Sequence, residues 1–289
     1  MAISTPLFAS HARRWQDNRY VYPVVSRRSH GLSIGVNLNP DKACNFDCVY
    51  CSVDRTPGEP RDGAEVDLGI LRAELDQLLG LAASGAIWSV PPFDRTPVPL
   101  RRLNDVAFSG DGEPTASRAL LPACHLVAEL IRWHGLQGTK IVLITNATLL
   151  DRPQVVDALA FLDGTDGEIW AKLDAGTEGY YQQVDRTKVL LATVLANLAM
   201  TGRRRAIVIQ SLFLCLDGEP PSAAELHAYV ERLRALIAGG CRIKLVQIYT
   251  VARPPAESTV TPVADALLDR LGQEVRGLGL AAEAAYAPR

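Results

Sequence analysis

The chain has 289 residues, 48% hydrophobic and 21% charged, ordinary values for a globular protein. Its 22 Gly and 18 Pro are too few for a collagen-like or low-complexity chain, and the length suits about two domains or one large α/β unit. A net charge of −2 argues against a protein that coats nucleic acid with a basic surface.

Residues 1–30 are polar, aromatic-flecked and aperiodic, and read as an N-terminal extension. They show no apolar core of a secretory signal. No window nears the ~18 apolar residues that span a bilayer, so a soluble, cytoplasmic protein is expected. A strand is expected over 32–38. Leu68, Leu71, Leu75, Leu78, Leu79 and Ala82 then recur at helical spacing, predicting a helix over 67–83 with Asp67 as N-cap. Residues 85–100 carry four prolines and read as a loop insertion.

Strands follow at 105–108, 141–145, 168–173, 206–215 and 243–249. Helices are expected at 119–133, 153–161, 188–200, 222–238 and 262–278. Pro153 suits a first helical turn. Six strands, each followed by a helix, predict an α/β fold with a parallel sheet. Periodicity alone leaves open a doubly wound sheet or an incomplete barrel. Either places functional loops at the C-terminal ends of strands.

The first such loop holds Cys44-Asn-Phe-Asp-Cys48-Val-Tyr-Cys51, half of the chain's 6 cysteines. Thiolates ligate soft metals and iron–sulfur clusters. Structural zinc takes four ligands, usually as two separated pairs. No second pair stands nearby, and His30 precedes the strand, at its opposite end. Three thiolates on a [4Fe–4S] cluster would leave one iron open for another ligand. A non-catalytic iron–sulfur or zinc-binding protein remains an alternative from the cysteines alone.

This C-x3-C-x2-C spacing, with Tyr50 before the last cysteine, resembles the radical S-adenosylmethionine (AdoMet) superfamily. Ser109-Gly-Asp-Gly-Glu-Pro-Thr115 resembles that superfamily's glycine–glutamate–proline segment, here one residue longer than the commonest form. Glycines there would permit positive φ and close backbone approach. From about residue 20 the chain also resembles the iron–sulfur oxidoreductases related to tRNA wyosine-base synthesis. The stretches that carry this are 21–28, 170–176 (Trp-Ala-Lys-Leu-Asp-Ala-Gly) and 249–257. Wyosine synthases carry extra cysteines ahead of the main motif; this chain has none before Cys44.

The resemblance implies a partial (βα)6 TIM-like barrel over 31–289. It implies a [4Fe–4S] cluster on Cys44, Cys48 and Cys51, and AdoMet near Tyr50, Gly110, Gly112, Glu113 and Pro114. It implies an enzyme that reductively cleaves AdoMet to a 5′-deoxyadenosyl radical for hydrogen abstraction. A one-electron reductant such as flavodoxin or ferredoxin would be its partner, and its substrate a small molecule or tRNA.

Other strand ends offer candidates. Alternation puts Glu168, Trp170, Lys172 and Asp174 on one face. Unpaired charges there would be costly, so Lys172 and Asp174 pair together or serve a ligand; the resemblance favours the ribose of AdoMet for Asp174. Asn146 is a turn cap or a cofactor contact. Tyr249 is core or lies against adenine, and Arg253 could meet an anionic substrate group. Cys124 reads as core. Cys215 and Cys241 fall at opposite strand ends, against a second cluster, and Cys215 alone could face the site. Arg13-Arg14, Arg27-Arg28, Arg101-Arg102 and Arg203-Arg204-Arg205 are solvated charge or, in an RNA-modifying enzyme, phosphate contacts.

Overall fold

A computed structural model of the chain describes residues 15–53, 65–253, 255 and 257–288. The Arg13-Arg14 pair and the start of the expected extension lie outside them. The strands are β1 (Val21–Ser26), β2 (Gly31–Val36), β3 (Leu103–Phe108), β4 (Lys140–Thr145), β5 (Gly167–Lys172), β6 (Ile207–Leu212), β7 (Leu214–Leu216), β8 (Ile243–Tyr249), β9 (Val260–Pro262) and β10 (Ala282–Ala285). The helices are α1 (Leu68–Ala83), α2 (Leu120–Trp133), α3 (Pro153–Asp163), α4 (Glu178–Asp185), α5 (Leu191–Arg204), α6 (Ala223–Ala238) and α7 (Asp265–Gly277). No helix among the described residues is long and apolar enough to cross a membrane.

Eight strands hydrogen-bond in the order β1-β2-β3-β4-β5-β6-β8-β10. The order follows the chain and never reverses. A doubly wound sheet reverses at a switch point, so the alternative left open by periodicity resolves to the singly wound, partial TIM-like barrel class. β1 pairs antiparallel with β2, while β2–β3, β3–β4, β5–β6, β6–β8 and β8–β10 pair parallel.

Four local expectations change. Residues 21–26 form β1 rather than an aperiodic extension, because β-branched Val21, Val24 and Val25 outweigh the interrupting Pro23. The single strand expected at 206–215 breaks at Phe213, and β7 turns away to pair antiparallel with β9. The loop at 85–100 coils into three short 3₁₀ turns. Helix α4 and strand β10 were not foreseen. Helix α4 carries few apolar residues, and its start is marked by Thr177, whose side chain accepts from Tyr180 N.

The chain divides into two compact units. The first takes residues up to Cys44, with Thr56–Ile144 and Arg152–Glu168. Asp67 caps α1 by accepting from Gly69 N and Ile70 N, as expected. Leu71, Leu75, Leu78 and Leu79 are buried along one face, each such side chain contributing about 1.5–3 kcal/mol. Leu68 falls in the first turn, off that face, and is 39% exposed. Glu74 is buried on α1 and accepts from Arg19 N, Tyr20 N and Val21 N at 2.6, 2.8 and 3.0 Å. That carboxylate ties the start of β1 to the helix.

The second unit takes Asn45–Arg55, Thr145–Asp151 and Ile169–Arg289. Its register sets side chains in rows on one sheet face. Trp170 pairs with Val208 in an apolar row. Lys172, Gln210, Gln247 and Glu283 lie opposite one another across β5, β6, β8 and β10. Leu212, Tyr249 and Ala285 form the row beyond.

Candidate functional site

In the first unit, the loop after β2 is built by side-chain turns. Asn37 Oδ1 accepts from Asn39 N at 3.0 Å and from Asp111 N at 3.2 Å, and Asn37 Nδ2 donates to Asp111 Oδ2 at 2.9 Å. Asp41 accepts from Ala43 N, and Lys42 adopts φ +61°. The segment after β3 presses against this loop. A methyl group on Gly112 would overlap the Ala43 carbonyl, one residue before Cys44, and one on Gly110 would overlap Asn37. Neither glycine has a positive φ. Close approach, not left-handed backbone, is therefore why glycine is needed, and the approach is to the cysteine loop itself. The extra residue Asp111 is the one Asn37 holds. Glu113 is buried and caps the following turn, accepting from Thr115 N at 3.1 Å, with Pro114 opening that turn.

Tyr22 of β1 lies over Gly35 of β2, and its hydroxyl sits 3.2 Å from Ser109 Oγ. His30, at φ +58°, lies in the turn between β1 and β2, at the end of β2 opposite Cys44, as expected.

In the second unit, residues 45–53 are held by α4 and by the turn after β4. Asp47 N donates to Asp185 O at 3.1 Å and Val49 N to Val184 O at 2.9 Å. Thr187 Oγ1 donates to Asn45 O at 2.8 Å. Asn146 Nδ2 donates to Asn45 Oδ1 at 2.8 Å, and Asn45 Nδ2 to Thr148 Oγ1 at 2.7 Å. Asn146 thus anchors the cysteine loop while its Oδ1 accepts from Thr148 N. Val49 packs with Val184, Leu212, Tyr249 and Val251, with Tyr50 beside them. Tyr249 is buried in that cluster.

Tyr50 lies at the centre of a charged network. Its hydroxyl donates to Asp174 Oδ2 at 2.5 Å, lies 3.3 Å from Asp185 Oδ1, and accepts from Lys172 Nζ. Lys172 and Asp174 do pair, at 3.1 Å, and the ammonium sits 4.2 Å from the Tyr50 ring centroid. Asp174 Oδ1 accepts from Leu212 N at 2.7 Å. Burial alone would lower the Lys172 pKa, but Asp174 and its other anionic neighbours hold it above its ordinary value. Burial, then Asp174, raises Tyr50. Burial pushes Asp185 up to about 7, with Asp174 adding and Lys172 opposing. Burial and then Asp185 raise the Cys48 thiol, against the opposing charge of Lys172.

Cys44, Cys48 and Cys51 are half-buried. Among the described residues no three His, Cys, Asp or Glu side chains are gathered into a metal-binding group. The donor chemistry suits a soft metal or an iron–sulfur group: three thiols within eight residues of one loop. The other cysteines are packed elsewhere. Cys124 is fully buried in α2, pushed up to about 12 by burial. Cys241 is buried against Gly202, its Sγ 3.6 Å from Leu198 O. Cys215 pairs across from Thr261 in the small β7–β9 sheet.

Sequence reasoning missed Asp185, Thr187 and Asn45, because α4 was missed. It also missed Gln210, fully buried, whose Nε2 donates to Gln247 Oε1 at 2.7 Å. The arginine triplet is partly structural. Arg203 Nε donates to Gly239 O at 3.0 Å and Arg242 Nη2 to Arg203 O at 3.4 Å, satisfying carbonyls beside the ends of α5 and α6.

The mostly parallel, singly wound sheet is similar in fold to several solved radical SAM proteins. A radical SAM methyltransferase from Sphaerobacter thermophilus matches with TM-score 0.57 at 15% identity, over 92% of this chain and 69% of that one. Streptococcus suis SuiB, bound to S-adenosylmethionine, matches with TM-score 0.58 at 14% identity, over 90% and 52%. TYW1 with a bound lysine–pyruvate adduct matches with TM-score 0.50 at 14% identity, over 86% and 74%. In sequence, UPF0026 proteins are similar. That of Methanocaldococcus jannaschii is 26% identical over 53% of this chain and 42% of its own length. That of Synechocystis is 29% identical over 57% and 52%. The match thus spans about half the length of these curated relatives. No family model matches the chain.

Proposed function

We propose that this protein is a radical SAM enzyme, in which Cys44, Cys48 and Cys51 hold a [4Fe–4S] cluster and AdoMet is the second cofactor. The observation that carries the reading is the close approach of Gly110 and Gly112 to Asn37 and to the Ala43 carbonyl, which sets the segment after β3 against the residue before Cys44. When bound, the cluster and AdoMet together supply a one-electron reductive cleavage that yields a 5′-deoxyadenosyl radical, and the organic chemistry is theirs.

The chain's own part is to bind, orient and exclude water. Gly110, Gly112, Glu113 and Pro114 would form the floor for the methionine end of AdoMet. Asp174, with Lys172 beside it, would take the ribose, after giving up part of its hold on Tyr50. Asn146 acts at one remove, by fixing Asn45 in the cysteine loop. Tyr249 and Val251 form an apolar wall beside Tyr50. A one-electron carrier such as flavodoxin or ferredoxin would deliver the electron. The substrate would be a small molecule or a tRNA.

The test is iron and sulfide content after anaerobic reconstitution, across the six single Cys→Ala variants. About four irons and four sulfides per chain are expected for the wild type. Changes at 44, 48 or 51 should each abolish them, and changes at 124, 215 or 241 should not. Stoichiometric zinc without iron, in protein never exposed to air, contradicts the reading.

A further inference from the structure

Cys48 differs from an ordinary loop cysteine in the charges that enclose it. The backbone on either side of it bonds to α4, Asp47 N to Asp185 O at 3.1 Å and Val49 N to Val184 O at 2.9 Å, and the Tyr50 hydroxyl two residues on lies 3.3 Å from Asp185 Oδ1. The Lys172 ammonium lies 4.2 Å from the Tyr50 ring centroid, and Asp174 holds that ammonium at 3.1 Å. Asp185 is kept in place because the backbone of the cysteine loop bonds to its own carbonyl, at 3.1 Å. Asp174 and Asp185 are both nearly fully buried. Charges in such surroundings interact far more strongly than in water.

We infer that Lys172 and Asp185 are positioning residues of opposite sign that set the redox poise of the group held by Cys48, with Tyr50 linking the two. The inference rests on the iron–sulfur reading above. Reduction adds one negative charge. A neighbouring cation favours the reduced form and a neighbouring anion the oxidised form. Hydrogen bonds to the ligating sulfur act in the same direction as the cation. Nothing in the cysteine spacing requires such a pair. It arises because β5 supplies Lys172 and α4 supplies Asp185.

The experiment is a potentiometric titration of the full chain, reconstituted anaerobically with iron and sulfide and without AdoMet, on the alkaline side of neutrality. Lys172→Met should lower the midpoint potential and Asp185→Asn should raise it. Each shift should be about tenfold in the reduced-to-oxidised ratio at fixed potential, or about 59 mV for one electron. Lys172→Arg, which keeps the charge, should restore most of the wild-type value. If Lys172→Met does not fold, Lys172→Gln and Asp185→Asn still decide: the first must lower the potential and the second must raise it. Unmoved potentials, or shifts of one sign for Lys172→Met and Asp185→Asn, in variants with wild-type iron content overturn the inference. A wild type that takes up no iron overturns instead the reading beneath it.

Discussion

Two stretches of the chain are held in place by different physics. In the first unit, Gly110–Pro114 is fixed by shape: glycines let it lie against Asn37 and the Ala43 carbonyl at distances no Cβ would allow. In the second, Cys48–Cys51 is fixed by charge: Tyr50, Lys172, Asp174 and Asp185 share buried hydrogen bonds. The difference teaches that one motif fails by overlap and the other by orphaned charge. A steric error is felt at one contact. An unpaired buried ion is felt by every partner it leaves behind.

The largest expected break is therefore Asp174→Ala. It strands the Lys172 ammonium, the Tyr50 hydroxyl and the Leu212 N–H together, and should cost about 3–5 kcal/mol. Urea denaturation of the metal-free protein measures it. A cost near that of a surface substitution would show that the network is not what holds this region. In the first unit, Gly112→Ala should cost about 1–3 kcal/mol by overpacking. It should also displace the loop before Cys44 and lower iron uptake. Unchanged iron uptake and stability would mean that the close approach is not required.

Each unit also contains one residue that departs from its own rule, and these sharpen the contrast. Asp105 is a buried charge in the shape-held unit, with the Ser33 hydroxyl bonded to it. Burial raises its pKa, against the hydrogen bond from Ser33 and the charge of Arg28. The native state thus keeps its proton to higher pH than the unfolded chain. Stability should fall as pH rises from the ordinary carboxylate value of about 4 toward the folded value. Asp105→Asn should flatten that slope and change stability at neutral pH by about 1 kcal/mol or less, in the stabilising direction. Denaturation midpoints across pH 4–8, roughly the range that links the two values, provide the check.

The smallest effect is expected at Ala147, a buried residue at φ +64° in the charge-held unit. Ala147→Gly relieves a left-handed conformation but loses a methyl group and stiffness of the unfolded chain. The net change should stay within about 1 kcal/mol of zero. The same replacement at Ala228, inside α6, should cost about 1 kcal/mol through helix propensity alone. Equal costs at the two positions would remove the case for strain at Ala147.

What the sequence disclosed follows the same division. Shape and periodicity were legible. Leu71, Leu75, Leu78 and Leu79 announced α1, Asp67 its cap, and the apolar runs the parallel strands. The order of the strands had to come from the structure, since alternation says which face is buried but not which neighbour pairs. The Lys172–Asp174 pair could be foreseen as one of two outcomes, because two residues of opposite charge shared a strand-end face. Asp185 could not. It lies on α4, a helix with little apolar periodicity, and it meets Tyr50 from a position 135 residues away in the chain. Gly110 and Gly112 were legible as necessary, for close approach and for positive φ; the structure shows the close approach, to a loop some 70 residues earlier, without the left-handed backbone.

The central claim is that the loop of Cys44, Cys48 and Cys51 equips this chain for reductive cleavage of AdoMet. The most direct measurement is 5′-deoxyadenosine, quantified by mass spectrometry after the reconstituted full chain is incubated with AdoMet and dithionite in the absence of air. The account predicts 5′-deoxyadenosine and methionine in equal amounts from the wild type, and none when Cys44, Cys48 or Cys51 is replaced by Ala. A wild type loaded with a [4Fe–4S] cluster that leaves AdoMet intact under these conditions would contradict it.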